Sequence, residues 1–219
     1  IASLNLGFGG EDGGGSYHSM YESFDHYTRF NDTTFVYGVA LAKVCGHSVL
    51  RLANADTLPF EFTNFADTVS VYVGEVTRLT DAMREDTRAL NQMISSGMLK
   101  AVQDPKETYV MPKPKDNVPY LNFAPLQNAL ARLQESSRNY QKVSTGKTLS
   151  PAVRKELDRI LINTDRTLSR SEGLPRRDWF THQIYAPGFY TGYGVKTLPG
   201  VREAIEQRDW KEAAEQITI

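Results

Sequence analysis

Apolar residues recur at helical spacing over most of the chain after residue 32. Between residues 64 and 98 they fall alternately four and three positions apart, which is typical of one continuous stripe along a long helix. The same spacing predicts further helices over residues 35–53 and 124–143, from the cap Ser150-Pro151 onward, and from about Gly200. Four prolines between residues 104 and 119 predict an extended connector. We therefore expect a mainly α protein built as an up-and-down helical bundle.

Residues 1–30 follow a different pattern. Residues 1–6 alternate like a short strand, glycines crowd residues 7–15, and Tyr17-His18 comes next. In α/β proteins, a strand that leads into a glycine loop often carries a ligand site. The glycines complete neither a dinucleotide motif nor a P-loop, because Asp12 and His18 stand where glycine is needed and no Gly-Lys-Ser/Thr follows. The loop therefore either lets the backbone approach a ligand closely or is a simple turn.

Composition excludes several classes of function. The net charge is −1, with 25 basic and 26 acidic residues in no basic cluster, so we do not expect a nucleic-acid partner. Cys45 is the single cysteine, which excludes an intrachain disulfide and a cysteine-rich zinc module. We find no uninterrupted apolar run of about 18 residues and expect no membrane segment. Because the chain starts at Ile1 within a predicted strand, we expect a longer parent protein.

His18 is the strongest candidate for chemistry among the histidines. A lone histidine is more often a satisfied polar residue, and a zinc centre needs three or four ligands. His26, His47 and His182 form no metal-binding pair with it or with one another. Cys45 lies in a helical pattern, and no G-x-S-x-G motif marks a serine nucleophile. The residues alone therefore leave a freestanding helical binding module as an open alternative.

A series of short motifs, in a fixed order, resembles the glutamate carboxypeptidase II and transferrin receptor family. They are Tyr17-His18-Ser19-Met20-Tyr21-Glu22, Phe30-Asn31-Asp32, Leu52-Ala53-Asn54, Leu58-Pro59-Phe60, Gly173-Leu174-Pro175, Ile184-Tyr185-Ala186-Pro187, Tyr193 and Pro199-Gly200. In that family a two-zinc peptidase domain ends in a helical dimerisation domain. The resemblance implies that residues 1–56 are the last piece of the α/β peptidase domain, with a strand, the His18 loop and a helix. Residues 57–219 would be the dimerisation domain, with 184–198 folding back toward the active site.

The resemblance also implies a role for His18, as the last of the zinc ligands. The remaining ligands and the general base would lie upstream of Ile1, so this chain alone should be inert and should bind zinc weakly. The implied parent is a zinc exopeptidase of carboxypeptidase or aminopeptidase type that acts on peptides outside the cytoplasm and forms a homodimer. The alternative is a non-catalytic transferrin receptor-like interaction module, against which the retained His18 argues.

Substrate-pocket positions carry over from the same resemblance. Tyr17, Gly13 and Tyr193 match residues that line the pocket, and His182 matches a pocket histidine. Glutamate-specific relatives have a lysine before the tyrosine matched by Tyr193, and it holds the substrate's side-chain carboxylate. Here that position is Gly192.

Overall fold

The computed structural model describes residues 3–9, 16–104, 106–144 and 149–219. The protein is 57% helical with a small two-stranded sheet, which confirms the expected mainly α class. The helices are α1 Phe24–His26, α2 Val36–Ala53, α3 Phe62–Ser95, α4 Met98–Ala101, α5 Ala124–Ser144, α6 Pro151–Asn163, α7 Pro199–Glu206 and α8 Trp210–Ile217, with a π-helical turn at Tyr27–Asn31 and a 3-10 turn at Asp165–Leu168. Strands β1 (Tyr185–Pro187) and β2 (Val195–Thr197) pair antiparallel.

The chain divides into two compact units. The helical unit consists of Glu61–Thr148 and Arg166–Ile219, and the N-terminal unit of Ile1–Phe60 and Leu149–Asp165. Helix α6 therefore belongs to the N-terminal unit, where the Ser150 hydroxyl caps it by accepting from the Val153 N–H, as the Ser-Pro pair predicts. The sequence boundary between residues 56 and 57 stays a prediction.

Helix α3 carries the core of the helical unit on one face. Except for the last, its buried residues follow one another at intervals of three or four positions. The other residues of the predicted apolar stripe are partly buried and pack against this core. The fully buried Val76 and the α7 residue Ile205 are among the largest enclosed side chains, and burying each stabilises the fold by about 1.5–3 kcal/mol. The buried α3 residues are Ala66, Val69, Val73, Val76, Thr80 and Thr87.

Helix α5 runs antiparallel to the first half of α3. At one end the rings of Phe62 and Tyr140 meet edge to face with centroids 5.1 Å apart. At the other end Thr80 and Ala124 line the same surface groove. The proline-rich connector lies along the second half of α3, where the Asn91 amide pairs with the Lys115 backbone at 2.7 and 3.0 Å. These contacts give the up-and-down order expected from the sequence.

Helices α7 and α8 replace the single last helix that the sequence predicted. The break lies at Arg208, whose φ of 62° is left-handed, and the Asp209 carboxylate then caps α8 by accepting from the Glu212 N–H at 2.9 Å. Arg208 also donates to the Thr87 hydroxyl and to the Asp116 carbonyl, so the break connects to both α3 and the connector. A left-handed arginine is rare, and the sequence pattern offered no signal for it.

In the N-terminal unit, the predicted strand at residues 1–6 is wrong for its described part. Residues 3–9 form no strand and are exposed, and Ile1 and Ala2 lie outside the described residues. A strand is stable only when its backbone bonds to a neighbouring strand, and alternation alone does not supply one. The glycine loop, from residue 10 to 15, also lies outside the described residues.

Helix α2 is unusual because it is apolar and none of its residues is buried. Lys43 and Arg51 interrupt its apolar sequence, yet by length and average composition this 18-residue helix, of mean hydropathy 1.2, could cross a membrane. A core helix of a larger domain passes the same test. Its start is fixed by the buried Asp32 carboxylate, which accepts from the Gly38 N–H at 2.8 Å and the Tyr27 hydroxyl at 3.1 Å. Burial would raise the pKa of Asp32, but these hydrogen bonds outweigh it and lower the pKa.

Gly173 occupies a position that only glycine fits, and this generates a stability prediction. Its φ is +66°, and an added Cβ would lie 2.1 Å from the Asp178 carbonyl oxygen. We expect Gly173→Ala to lower the free energy of unfolding by about 2–5 kcal/mol, from left-handed strain plus the clash with backbone. Gly97→Ala is the control, because Gly97 has φ +74° but nothing within 4 Å of its Cβ position. Equal losses for the two variants in urea unfolding would contradict the role of the clash.

Candidate functional site

His18 and Tyr17 project from a tight turn in the N-terminal unit. The Ser19 N–H and hydroxyl both donate to the Ser16 carbonyl, at 3.0 and 2.7 Å, and the His18 N–H donates to the Glu22 carboxylate at 3.0 Å. His18 has a left-handed φ of 60°, a conformation in which histidine is enriched. The Tyr17 and His18 rings stack with centroids 3.9 Å apart, and both side chains are exposed. The turn therefore presents an imidazole and a phenol together at the surface.

A zinc site needs more donors than this turn supplies. Across residues 3–9, 16–104, 106–144 and 149–219, no group of three or more His, Cys, Asp and Glu side chains is arranged to hold a metal ion. One imidazole falls short of the three or four ligands that zinc takes. The described residues alone do not fit a zinc centre, and His18 could supply one ligand of it. Gly13 lies outside the described residues.

The predicted site residues Gly192 and Tyr193 lie on the β1–β2 hairpin of the helical unit. Residues 188–194, which we call the tyrosine loop, close at their base through the Gly188 N–H, which donates to the Gly194 carbonyl at 2.8 Å. Tyr193 at the tip is fully exposed and Tyr190 is 80% exposed. A Cβ added at Gly192 would meet nothing within 4 Å. The loop therefore has a fixed base and an open tip with room for a larger side chain at Gly192.

His182 lies at the foot of this hairpin. Its Nδ1 accepts from the backbone N–H groups of Ile184 and Tyr185, both at 3.2 Å, and its ring stacks on that of Tyr185. These bonds require the imidazole tautomer with its proton on Nε2. Burial, followed by the hydrogen bond with Tyr72, raises the pKa of Tyr185 to about 12, so this phenol is neutral near pH 7. The two hydrogen bonds to His182 therefore fix the backbone of Ile184 and Tyr185, where β1 begins.

Lys196 is the nearby lysine that could replace the cation absent at Gly192. Its ammonium pairs with both carboxylate oxygens of Glu206 on α7, at 2.8 and 3.0 Å. An ammonium already neutralised by a carboxylate is a poor substitute for a lysine that grips substrate.

A buried ion pair beneath the tyrosine loop was missed in the sequence. Arg177 and Glu203 are 4% and 9% exposed and bond to each other. Arg177 also donates to the Pro187 carbonyl, while Glu203 accepts from the Phe189 N–H at 2.5 Å. Two charged residues 26 positions apart carry no periodic signal, so only the fold reveals them.

Tyr17 and His18 lie side by side in one turn, Gly192 and Tyr193 lie in the tyrosine loop, and His182 lies at the foot of its hairpin. The first pair belongs to the N-terminal unit and the other three residues to the helical unit. A separate groove of about 570 Å³ in the helical unit is lined mainly by apolar side chains of α3, α5 and α7. None of the described site residues lines it.

Comparisons with known proteins place the chain in a class. Residues 121–219 match the model of the transferrin receptor-like dimerisation domain. The Arabidopsis thaliana protein LAMP1, named a probable glutamate carboxypeptidase, is 28% identical over 208 residues, covering 92% of this chain and 25% of its own length. A protein of Arthroderma benhamiae, also named a probable glutamate carboxypeptidase, is 27% identical over 220 residues, which cover 99% of this chain and 26% of that protein's length. The rat aminopeptidase NAALADL1 is 23% identical over 215 residues, covering 93% and 24%.

These matches confirm the resemblance seen in the sequence. The mainly α fold and the match over residues 121–219 define a helical dimerisation domain of the transferrin receptor type. Along most of its length the chain is also similar to probable glutamate carboxypeptidases. It spans about a quarter of the length of the curated relatives that it matches.

Proposed function

We propose that the chain is the C-terminal region of a zinc exopeptidase related to the glutamate carboxypeptidases. In this proposal the N-terminal unit adds one ligand to a two-zinc centre, and the helical unit forms a homodimer and contributes the tyrosine loop to the substrate pocket. The observation that carries the proposal is α2, an apolar helix of 18 residues with none of them buried. A helix of this composition packs its apolar residues against a larger structure, and the relatives are about four times as long as the region they share with this chain.

The metal chemistry would depend on donors outside this chain. When bound, a pair of zinc ions supplies Lewis-acid polarisation of a carbonyl and a nucleophilic water at neutral pH. His18 would hold one ion through its exposed imidazole. The stacked Tyr17 ring restricts the orientation of that imidazole, which favours one geometry of approach.

The substrate pocket would be formed by side chains that the structure leaves exposed. Tyr17 and Tyr193 offer hydroxyls and aromatic faces. Because Gly192 supplies no cation and Lys196 is paired with Glu206, a carboxylate side chain on the substrate would be desolvated without a partner. We therefore infer a preference for neutral or apolar C-terminal residues over glutamate.

A non-catalytic, transferrin receptor-like assembly module is the second candidate. The family model matches residues 121–219 only, a range that contains α5, α7 and α8 but neither α3 nor His18. The exposed His18 turn and the enzyme names of the relatives favour the peptidase.

The metal role of His18 is tested in the full-length protein with His18→Ala. We expect zinc content to fall and peptidase activity to drop by at least about 100-fold, because a first ligand is lost. His26→Ala is the matched control, since His26 lies on α1 and its ring packs at a tilt against that of Phe30, with centroids 5.2 Å apart. Unchanged zinc and activity in His18→Ala would exclude the proposed ligand, and an inactive wild type would favour the assembly module.

The role of Gly192 is tested by Gly192→Lys in the full-length protein. Measuring kcat/KM on dipeptides that differ only in the last residue, we expect the substitution to raise the preference for glutamate over leucine by about tenfold or more. Ser96→Lys, at the exposed C-terminal end of α3, adds the same charge elsewhere and should leave the ratio unchanged. A wild type that already prefers glutamate tenfold would refute the inferred specificity.

The dimer is tested by light scattering on the full chain at tens of micromolar. We expect a discrete dimer, because residues 121–219, which include α5, α7 and α8 of the helical unit, match a dimerisation domain. Association through the exposed apolar face of α2 is the competing explanation, and Val44→Glu with Val49→Glu should abolish only that contact. A monomer, or a dimer lost in this double variant, would contradict dimerisation through the helical unit.

A further inference from the structure

The buried ion pair between Arg177 and Glu203 contacts a single segment of backbone. Arg177 donates to the Pro187 carbonyl, and Glu203 accepts from the Phe189 N–H at 2.5 Å. The two groups therefore hold the peptide units on either side of Gly188, where the tyrosine loop begins. Their own bond to each other makes the two contacts one unit.

Aromatic rings enclose the same pair. The Arg177 guanidinium lies 5.5 Å from the ring centroids of both Phe180 and Phe189, and the Arg176 guanidinium also lies 5.5 Å from Phe189. Cation–π contacts strengthen when water is excluded, and Arg177 is 4% exposed. Phe189 is thus held by its backbone and by its ring, whereas residues 190–195 after it are exposed.

Helix α7 does not need this ion pair in order to stay in place. Its residues Val201, Ala204 and Ile205 are buried in the core cluster with α3. Burying two charges is costly and contributes little net stability compared with apolar side chains. Because α7 is already well packed, the buried pair is better explained by the backbone that it holds in place, which is the start of the tyrosine loop.

The far end of the loop is tied to the same helix. The Lys196 ammonium pairs with Glu206, and the Arg202 guanidinium donates to the Thr197 carbonyl at 2.9 Å. Both partners, Glu206 and Arg202, lie on α7. The hairpin that carries the loop is therefore attached to α7 at both ends. The attachment through the buried Arg177–Glu203 pair is the more rigid of the two, because its charge-assisted bonds are shielded from water.

We propose that Arg177 and Glu203 are a positioning pair, which fixes the base of the tyrosine loop and, through Tyr193, sets the substrate preference of the pocket. This inference rests on the proposed function, because it takes the loop to be part of that pocket. The pair touches no reacting atom. It acts by restricting where the exposed tip, Tyr190 to Tyr193, can lie.

The first experiment measures amide hydrogen exchange in this chain carrying Arg177→Lys. Lysine keeps the charge but loses the fork that reaches Glu203 and the Pro187 carbonyl together. We expect exchange at Gly188 and Phe189 to accelerate by at least about tenfold, with α3 little changed. Arg208→Lys is the matched control, because Arg208 also bonds to a backbone carbonyl but on the connector. Unchanged exchange at Gly188 and Phe189, or equal acceleration there in the control, would overturn the proposal.

A second variant guards against simple misfolding. Arg177→Met with Glu203→Gln removes both charges, a change that buried ion pairs often tolerate. We expect it to fold, and still to show faster exchange in residues 186–194, because the bond to the Pro187 carbonyl is lost. A folded double variant with wild-type exchange in this segment would also overturn the proposal.

The substrate role is read in the full-length protein carrying the same double variant. The measured quantity is the ratio of kcat/KM for two dipeptides that differ only in the last residue, because loss of folded enzyme lowers both values alike. We expect the ratio to change by at least about threefold. If exchange in the loop is faster but the ratio of kcat/KM is unchanged, the pair anchors the loop but the loop is not part of the substrate pocket. Wild-type exchange would instead refute the anchoring itself.

Discussion

The buried face of α3 is the constraint to which the rest of the helical unit is fitted. At 1.5 Å per residue its 34 residues extend about 50 Å, longer than either α5 or the α7–α8 pair. Helix α5 covers one half of this face and the connector covers the other, where Asn91 and Arg84 bond to the connector's backbone. Helix α7 adds its apolar side and the Glu75–Arg202 ion pair at 2.6 Å. An interruption of the α3 stripe would therefore loosen all three partners together.

Local periodicity explains why the helices could be predicted and where the prediction stopped. The stripe of α3 and the Ser-Pro cap of α6 are encoded by residues within a few positions of one another, so they can be read directly. The errors fall where structure depends on something distant or rare. Arg208 divides the last helix with a left-handed φ of 62°, a conformation that is rare for arginine. The described part of the predicted strand, residues 3–6, forms no strand, because a strand needs a neighbour that alternation does not specify.

The residues of the candidate site also fall into those that a local sequence pattern predicts and those that it does not. Tyr17 and His18 are adjacent in sequence, and Gly192 and Tyr193 are too, so motif order could indicate both pairs. The Arg177–Glu203 pair and the bonds that His182 makes to the hairpin backbone arise only when the chain is folded. Sequence motifs can therefore indicate which side chains are candidates for a ligand site. The residues that hold those side chains in place have to be found in the structure.

The two units differ in how completely they satisfy their own apolar residues. The helical unit encloses a core in which Val76, Ala204, Ile205 and Ala213 are fully buried, whereas α2 of the N-terminal unit buries none. A fold does not keep an 18-residue apolar helix exposed without a partner, because each exposed valine or leucine forgoes about 1.5–3 kcal/mol of burial. The exposed His18 turn belongs to that same unit. In the proposed function, assembly would therefore depend on the helical unit, whose core is enclosed, and the metal chemistry on a unit whose apolar helix is not.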